Sequence, residues 1–516
     1  MLEALQGGDF FSRSRSLFKP KIPPLLKDLS QLESINSDPT DCVGYEEDIR
    51  NLFPKTFGQP KVYFARGASR PIKPLKVGVV LSGGQAPGGH NVIAGLFDAL
   101  RELSFKSELM GFLGGASGVI NHLTMKITEE CLIPYRNTGG FDLLGSGRAK
   151  IETEKQLECS LKVCNSHGLD GLVIIGGDDS NTNAAVLAEF FLNHNCKTKV
   201  VGVPKTIDGD LKNEWIETSF GFDTACKIYS EMIGNICRDA LSAKKYTHFI
   251  KLMGRSASHV ALECALQTHP NLTLLGEEVA YHRKSLKEVV QEISEVIIDR
   301  AEVGKNYGVI VIPEGLIEFL PEGSITGEML SDLSIEQDPH GNLPVSQIPT
   351  ETFLINLVKK NLKARGFQGQ FSPVAHFLGY EGRCGYPSYF DATYSYLLGR
   401  SAALLIHQGL TGYMSVASHL TQSVENWEVS GLPITSLLTM EERKGKIKPV
   451  IKKALVDLKG KPFQFFASHR QQWEIEDHYR YPGPIQFEGA KEVVEEITYT
   501  LRLEHSKNKA LATPLN

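Results

Sequence analysis

The stretch that most constrains the fold is 171–181, in which a short apolar run leads into glycines and then carboxylates. The apolar residues 172–175 are typical of a strand that is buried on both faces of a parallel sheet. The helical pattern that follows has Asp179 or Ser180 as its predicted N-cap. Such a strand, glycine turn and helix start usually binds a phosphate. Because Asp178 and Asp179 place two negative charges there, we expect a hydrated Mg²⁺ held by a carboxylate instead.

The same order of elements recurs along the chain. An apolar run at 76–82 leads into a glycine-rich turn, and another at 199–203 leads into an acidic turn. A second set of such units begins near residue 219. Strands that alternate with helices predict right-handed, doubly wound parallel sheets, whose ligands bind at the carboxyl ends of the strands. We therefore predict an α/β protein with two doubly wound, Rossmann-like domains.

Interruptions of this alternation of strands and helices predict where the chain divides into domains. The predicted parts are an extension at 1–74 that packs on the surface, a first domain at 75–218 to which the chain returns around 388–440, a second domain at 219–387 that includes an insertion at 317–370, and a C-terminal segment at 441–516 that packs on the second domain. The insertion is polar at first and helical from 351 to 365, and another helix is predicted at 488–503.

Composition narrows the class of protein. A net charge of −5 and a pI near 6.3 argue against a nucleic-acid or anionic-membrane partner. We find no apolar run of about 18 residues, so we expect no membrane span. The N-terminal residues lack a basic region followed by an apolar one, so we expect no secretory signal. The nine cysteines are scattered, which favours reduced thiols in a cytoplasmic enzyme.

Six short motifs occur in a fixed order: Gly-Gly-Gln-Ala-Pro-Gly, Gly-Gly-Asp-Asp-Ser, Pro-Lys-Thr-Ile-Asp-Gly-Asp, Met-Gly-Arg, Pro-Glu-Gly and Tyr-Glu-Gly-Arg. Together they resemble the phosphofructokinase family, and most closely its long-chain diphosphate-dependent branch, over about residues 75–420. The resemblance implies reversible, Mg²⁺-dependent phosphoryl transfer from inorganic diphosphate to the 1-hydroxyl of fructose 6-phosphate. The products would be fructose 1,6-bisphosphate and phosphate, in glycolysis and its reversal.

The resemblance also assigns roles to the carboxylates. Asp208 follows a predicted strand, where a general base is well placed, and it would take the proton of the sugar hydroxyl. Asp178 would hold Mg²⁺ through water, and it can serve as a helix cap as well. Asp210 either supports the Mg²⁺ or only shapes a turn.

Two positions bear on the choice of phosphoryl donor, and with Asp208 they form the expected catalytic set. Relatives that use ATP carry glycine where this chain has Asp179 and Lys205. A carboxylate at 179 would repel the α-phosphate of a nucleotide, whereas diphosphate has no α-phosphate. Lys205 would add positive charge near the transferred group. These residues favour diphosphate as the donor.

The remaining expected contacts divide between the two substrates. The diphosphate would be bound by Gly83, Gly84, Arg148 and Gly177. Fructose 6-phosphate would be bound by Thr206, Ile207, Asp208, Lys245, Tyr246, Met253, Gly254, Arg255, Glu314, Tyr380, Glu381, Gly382 and Arg383. Arginine suits this role because its planar guanidinium can donate two hydrogen bonds to one phosphate.

Lys245 and Tyr246 resemble a pair that reaches the site of a neighbouring subunit, which implies a homo-oligomer with shared active sites. A related regulatory subunit is a further expected partner of this branch. An ATP-dependent phosphofructokinase, a non-catalytic regulatory subunit and another kinase with a Gly-Gly-Asp loop stay open as alternatives. Oligomer size, effectors and the roles of the extension and the insertion are open as well.

Overall fold

The computed structural model describes residues 15–67, 73–321, 348–443 and 445–483. The predicted helix at 488–503 and much of the polar part of the predicted insertion lie outside these described residues. Within them, none of the helices combines the length and the apolar composition needed to cross a bilayer.

The strands are numbered in chain order. They are β1 Leu32–Pro39, β2 Pro60–Arg66, β3 Lys76–Leu81, β4 Glu108–Phe112, β5 Thr124–Ile127, β6 Gly171–Gly176, β7 Lys199–Thr206, β8 Phe220–Gly221, β9 Thr247–Leu252, β10 Leu272–Thr273, β11 Gly308–Pro313, β12 Pro373–Leu378, β13 Tyr413–Ser418, β14 Glu428–Pro433, β15 Leu438–Arg443 and β16 Lys446–Ile451.

The α-helices are numbered in the same way. They are α1 Glu46–Leu52, α2 Gly89–Leu103, α3 Ala116–Ile120, α4 Glu129–Leu132, α5 Glu154–His167, α6 Asp178–Asn193, α7 Phe222–Ala243, α8 His259–Thr268, α9 Gly276–Tyr281, α10 Leu286–Glu302, α11 Thr350–Ala364, α12 Tyr380–Arg383, α13 Tyr389–His407 and α14 Lys461–Ile475.

The larger sheet belongs to the first domain and has the order β1-β2-β14-β13-β7-β6-β3-β4-β5, with β8 paired to the end of β7. Its centre, from β13 to β4, is parallel, and the strands on both sides are antiparallel. The central strands β3, β6 and β7 are almost entirely buried, as the uninterrupted apolar runs predict. Their carboxyl ends therefore meet at one edge of the sheet.

The second sheet has the order β10-β11-β9-β12, and all of its pairs are parallel. Helix α11 packs its buried Phe353, Leu354 and Val358 into the same hydrophobic cluster as Phe249 and Ile310 of this sheet. The helical part of the predicted insertion is therefore a layer of the second domain. The predicted α/β class with two parallel-rich sheets is confirmed.

Helices α2 and α13 cross at very short range on the first sheet. A Cβ atom on Gly95 would overlap the backbone carbonyl of Tyr396, and one on Gly399 would overlap that of Val92. Glycine at both positions lets the two helix backbones touch. This crossing brings the chain back from the second domain to β13.

Three expectations need correction. Strands β1 and β2 of the extension join the edge of the first sheet through β14, because β2 buries Val62 and Phe64. The segment after residue 440 does not pack on the second domain alone: β15 and β16 form a hairpin beside α6 of the first domain, and α14 packs on α8 and α10 of the second. Helix α6 begins at Asp178, and its N-cap is Gly177.

Candidate active site

A cleft of about 540 Å³ lies where the carboxyl ends of β3, β6 and β7 face those of β9, β11 and β12. The expected site residues that line it are Gly83, Gly84, Arg148, Gly177, Asp178, Asp179, Lys205, Thr206, Ile207, Asp208, Met253, Arg255, Glu314, Tyr380 and Arg383. The fold thus brings both halves of the predicted site together.

The floor of the donor side is made by the turns after β3 and β6. Gly83 has a φ of 81°, a left-handed conformation that favours glycine, and its N–H donates to the carbonyl of Gly147 at 3.0 Å. Beneath it the Ser180 hydroxyl bonds that of Ser82 at 2.9 Å. These bonds fix the turn that places Gly83 and Gly84 at the wall of the cleft.

Asp179 carries a charge that two cations compensate. Lys150 Nζ lies 2.9 Å from one carboxylate oxygen, and Arg443 Nη1 donates to the other at 2.8 Å. Although burial acts to raise it, Lys150 and then Arg443 hold the pKa of Asp179 below its usual range. Asp179 is therefore the centre of an ion cluster at the mouth of the donor side, and not an isolated negative charge.

Asp178 faces deeper into the cleft. Burial raises its pKa, as do the carboxylates of Asp179 and Asp210, whereas Lys453 acts to lower it. The described residues contain no cluster of three or more His, Cys, Asp or Glu side chains that could hold a metal ion by themselves. Mg²⁺ in phosphoryl-transfer sites usually has one or two carboxylates, with substrate oxygens and water as its other ligands. Asp178 fits that donor set.

The end of β7 positions the expected base. The backbone N–H of Asp208 donates to Thr206 Oγ1 at 3.0 Å, and that hydroxyl donates to Asp210 Oδ1 at 3.1 Å. Burial, followed by the charge of Asp210, raises the pKa of Asp208 to about 6. Burial also lowers the pKa of Lys205, against the influence of the nearby carboxylates. Asp208 is thus tuned to exchange a proton near neutral pH.

The acceptor side is built from the loops after β9 and β11. Gly254 N–H donates to Glu314 Oε2 at 3.1 Å, and Gly315 N–H donates to the carbonyl of Gly254 at 3.3 Å. These bonds hold Arg255 at the exposed rim of the cleft with Met253 beside it. A guanidinium at the rim and a carboxylate within suit a phosphorylated polyol.

Helix α12 contributes the third motif of the acceptor side. The Nε of Arg383 is buried and has no hydrogen-bond partner among the described residues, and its guanidinium lies 4.8 Å above the Tyr380 ring. Gly382 packs against Tyr229, while Glu381 Oε2 accepts from the N–H of Gly379 at 2.8 Å. Arg383 and Tyr380 therefore face the cleft, and Gly382 and Glu381 shape their loop.

Lys245 and Tyr246 lie elsewhere. They precede β9, whereas Met253 follows it, and six residues of strand separate the two positions by roughly 20 Å. Lys245 is exposed, with its Nζ 5.0 Å from the centre of the Tyr246 ring. Within one chain this pair does not reach the cleft.

Sequence reasoning missed several residues at the cleft, among them Lys150, Ser256, Arg443 and Lys453. Lys453 Nζ lies 3.7 Å from Asp178 Oδ2 and 3.6 Å from Asp210 Oδ2. The latter ion pair, with the bond from Thr206, shows that Asp210 does more than shape a turn. Six of the residues in 443–453 are lysine or arginine, so local sequence does not single out Arg443 or Lys453.

The chain is similar to known proteins over most of its length. The family model described as Phosphofructokinase matches residues 76–406. A Porphyromonas gingivalis protein named pyrophosphate--fructose 6-phosphate 1-phosphotransferase is 47% identical, over 95% of this chain and 98% of the relative. The Arabidopsis thaliana protein of that name called subunit beta 2 is 49% identical, over 88% and 87%.

Among solved structures, the pyrophosphate-dependent phosphofructokinase of Marinobacter aquaeolei superposes with a TM-score of 0.57, at 16% identity. The match covers 78% of this chain and 93% of that chain, and at this identity it speaks for the fold alone. The family model, the curated relatives and the shared fold thus agree with the six ordered motifs. The chain belongs to the phosphofructokinase family.

Proposed function

We propose that this chain catalyses the reversible transfer of a phosphoryl group from inorganic diphosphate to the 1-hydroxyl of fructose 6-phosphate. The observation that carries the proposal is Asp208, a carboxylate with a raised pKa between a carboxylate-bearing donor loop and an arginine-bearing acceptor side. Curated relatives that are almost half identical over most of the chain are named for this reaction.

In the forward direction Asp208 accepts the proton of the 1-hydroxyl. The bond between that oxygen and phosphorus forms while the bond between the phosphorus and the bridging oxygen of the diphosphate breaks, and phosphate leaves. Protonated Asp208 returns the proton in the reverse direction. Because the diphosphate and sugar-phosphate bonds are of comparable energy, the reaction can run in both directions.

The donor side favours diphosphate through its charges. Asp179 and its partners Lys150 and Arg443 occupy the mouth of the cleft, where a nucleotide would extend beyond its β-phosphate. Lys205 lies buried beside the glycine cradle. Its Nζ would be 3.8 Å from a Cβ atom added to Gly83. Inorganic diphosphate has no α-phosphate, so it avoids the carboxylate that would repel that group of a nucleotide.

Asp178 is the residue that would hold Mg²⁺, which when bound neutralises charge on the diphosphate. Arg255 and Arg383, which line the cleft, would bind the sugar phosphate. Glu314 would accept hydroxyl hydrogen bonds from the sugar.

A homo-oligomer is part of the proposal, because Lys245 and Tyr246 lie away from the cleft of their own chain and are free to serve that of a neighbour. A reducing, cytoplasmic setting is proposed as well, since all nine cysteines are free thiols.

The test is turnover by the purified chain with Mg²⁺ and fructose 6-phosphate, with diphosphate and ATP compared side by side. Diphosphate-dependent formation of fructose 1,6-bisphosphate by the chain alone is the expected result. A preference for ATP would overturn the choice of donor, and inactivity with both donors would favour a regulatory subunit.

A further inference from the structure

A lysine from the C-terminal segment occupies the centre of the cleft. Lys453 Nζ donates to Ser256 Oγ at 2.6 Å on the acceptor side. It also lies 3.7 Å from Asp178 on the donor side and 3.6 Å from Asp210 beneath the expected base. Its ammonium group therefore contacts the donor loop, the base loop and the acceptor loop together.

The backbone around Lys453 is attached on both sides of the cleft. On the first domain, Ile451 N–H donates to Thr182 Oγ1 at 3.3 Å, and Ala454 N–H donates to the carbonyl of Asp210 at 2.7 Å. On the second, His259 Nε2 bonds the carbonyl of Ala454 at 3.0 Å. The fold thus sets the position of this lysine before any ligand arrives.

A second bond on the acceptor domain strengthens this attachment. Glu277 Oε1 accepts the N–H of Val456 at 3.0 Å and also the N–H of Ser258 at 3.0 Å. The buried carboxylate therefore joins the segment that carries Lys453 to the loop that carries Ser256. An ordinary surface lysine has no such support.

The charges around Lys453 explain what it can do. Asp178, Asp208, Asp210 and Glu314 line the same cleft and would repel an anionic phosphoryl group. A lysine has a compact charge on a flexible stem, so its ammonium can turn from the carboxylates to a phosphoryl oxygen over a short distance. Between the donor and acceptor sides it can follow that oxygen through the transfer.

We propose that Lys453 is a further catalytic residue, whose ammonium binds the phosphoryl group as it passes from the diphosphate to the sugar. The inference rests on the proposed function and deepens it. It explains why the chain carries a lysine-bearing segment from beyond β16 into a cleft that two complete domains already enclose.

The experiment compares Lys453→Met, which removes the charge but keeps the stem, with Lys453→Arg, which keeps the charge. Lys452→Met is the matched control, because Lys452 is the exposed neighbour on the same strand end. We expect Lys453→Met to lower kcat about 100-fold or more with little change in the KM for fructose 6-phosphate. Lys453→Arg should recover part of this loss, and Lys452→Met should match the wild type.

A binding measurement separates this role from a merely structural one. Calorimetric titration with imidodiphosphate and Mg²⁺ uses an analogue that resists transfer, and we expect weaker binding to Lys453→Met at an unchanged melting temperature. A kcat of Lys453→Met within threefold of the wild type would overturn the inference. The inference would also be overturned if Lys453→Met and Lys453→Arg both melted at a lower temperature but bound the analogue as the wild type does. That pattern would indicate that the ion pairs of Lys453 are structural.

The two proposals fail in different ways. If the wild type turns over diphosphate and Lys453→Met does so equally well, only the role of Lys453 is overturned. A wild type that uses ATP and not diphosphate overturns the proposed donor. The same variants are then assayed with ATP. If the ATP turnover of Lys453→Met equals that of the wild type, this inference is overturned too.

Discussion

At the residue scale, the cleft works by alternating acidic and basic groups over short distances. Asp179 is joined to Lys150 and Arg443, and Asp178 and Asp210 share Lys453. Buried carboxylates without such partners would hold protons at neutral pH. Asp208 lies among these groups with a pKa raised to about 6, and we expect it to be the group that exchanges a proton.

The pH dependence of the forward reaction should follow Asp208. The base acts as a carboxylate, and its raised pKa of about 6 means that kcat/KM falls as the pH drops through that value and levels off above it. Asp210→Asn removes a charge that raises this pKa, so the acidic limb should move to lower pH. The measurement is the pH profile of kcat/KM for fructose 6-phosphate.

Asp48→Asn is the control for this profile, because Asp48 is an exposed aspartate on α1. The acidic limb of the Asp48→Asn profile should coincide with that of the wild type. A wild-type limb near pH 4, the range of an ordinary aspartate, would contradict the role of Asp208.

Donor choice is tested by replacing Asp179 and Lys205 together with glycine. Turnover with diphosphate should fall about 100-fold or more, because Lys205 is lost from the transferred group. Loss of Asp179 frees Lys150 and Arg443 to face a nucleotide, so ATP turnover should rise relative to diphosphate turnover. The ratio of kcat/KM for the two donors is the measurement.

Glu441→Gln is the control for donor choice, since it removes a carboxylate beside Arg443 and leaves Asp179 in place. Its donor ratio should equal that of the wild type. An unchanged ratio in the double variant would argue that neither residue discriminates between donors.

At the scale of elements, the crossing of α2 and α13 joins the two halves of the chain. α2 begins just after the glycine cradle, and α13 begins just after the arginine of the acceptor side. At the start of α13, Asp391 accepts hydrogen bonds from the N–H groups of Gly221 and Thr224 at 2.9 and 2.8 Å. The beginning of α7 is therefore fixed to the same crossing as the cradle.

Gly95→Ala should destabilise the protein. Its Cβ would overlap the Tyr396 carbonyl, so the helices must separate, and overpacking of this kind costs about 1–3 kcal/mol. The measurement is the free energy of unfolding in denaturant. Gly84→Ala is the control, because a Cβ there meets open space, and a loss of stability equal to that of Gly95→Ala would refute the packing argument.

How much the sequence could reveal differs between elements. The units around 76–206 could be predicted, because apolar runs, glycine turns and helix starts are local features. The ion cluster on Asp179 could not, since Arg443 reaches it only after β15 and β16 have folded onto α6. Lys453 is likewise placed by the bond between Ile451 and Thr182, which are distant in sequence, and one lysine among many carries no mark.

At the scale of the whole molecule, Lys245 and Tyr246 lie at the far end of the second sheet from the cleft, where Lys245 is exposed and Tyr246 is half-buried. If they complete the site of a neighbour, each active site takes Arg383 from one chain and Lys245 from another. The proposal of shared sites therefore concerns the assembly and not the single chain.

Two inactive variants should restore each other in mixed assemblies. Lys245→Ala lacks the neighbour's contribution and Arg383→Ala lacks that of the home chain, so a hybrid contains some complete sites. Activity should rise when differently tagged variants are unfolded together and reassembled. Hybrids that form, as shown by co-purification of both tags, yet stay inactive would contradict shared sites.

The place of β14 in the first sheet also has a consequence during synthesis of the chain. β14 lies between β2 and β13, and its Ser430 and Gly431 pair with Tyr63 and Val62. The partners are about 370 residues apart, which a ribosome covers in roughly 20–70 s at 5–20 residues per second. For that time β1 and β2 have left the ribosome while the β14 side of β2 has no partner, so we expect a chaperone to protect this strand edge.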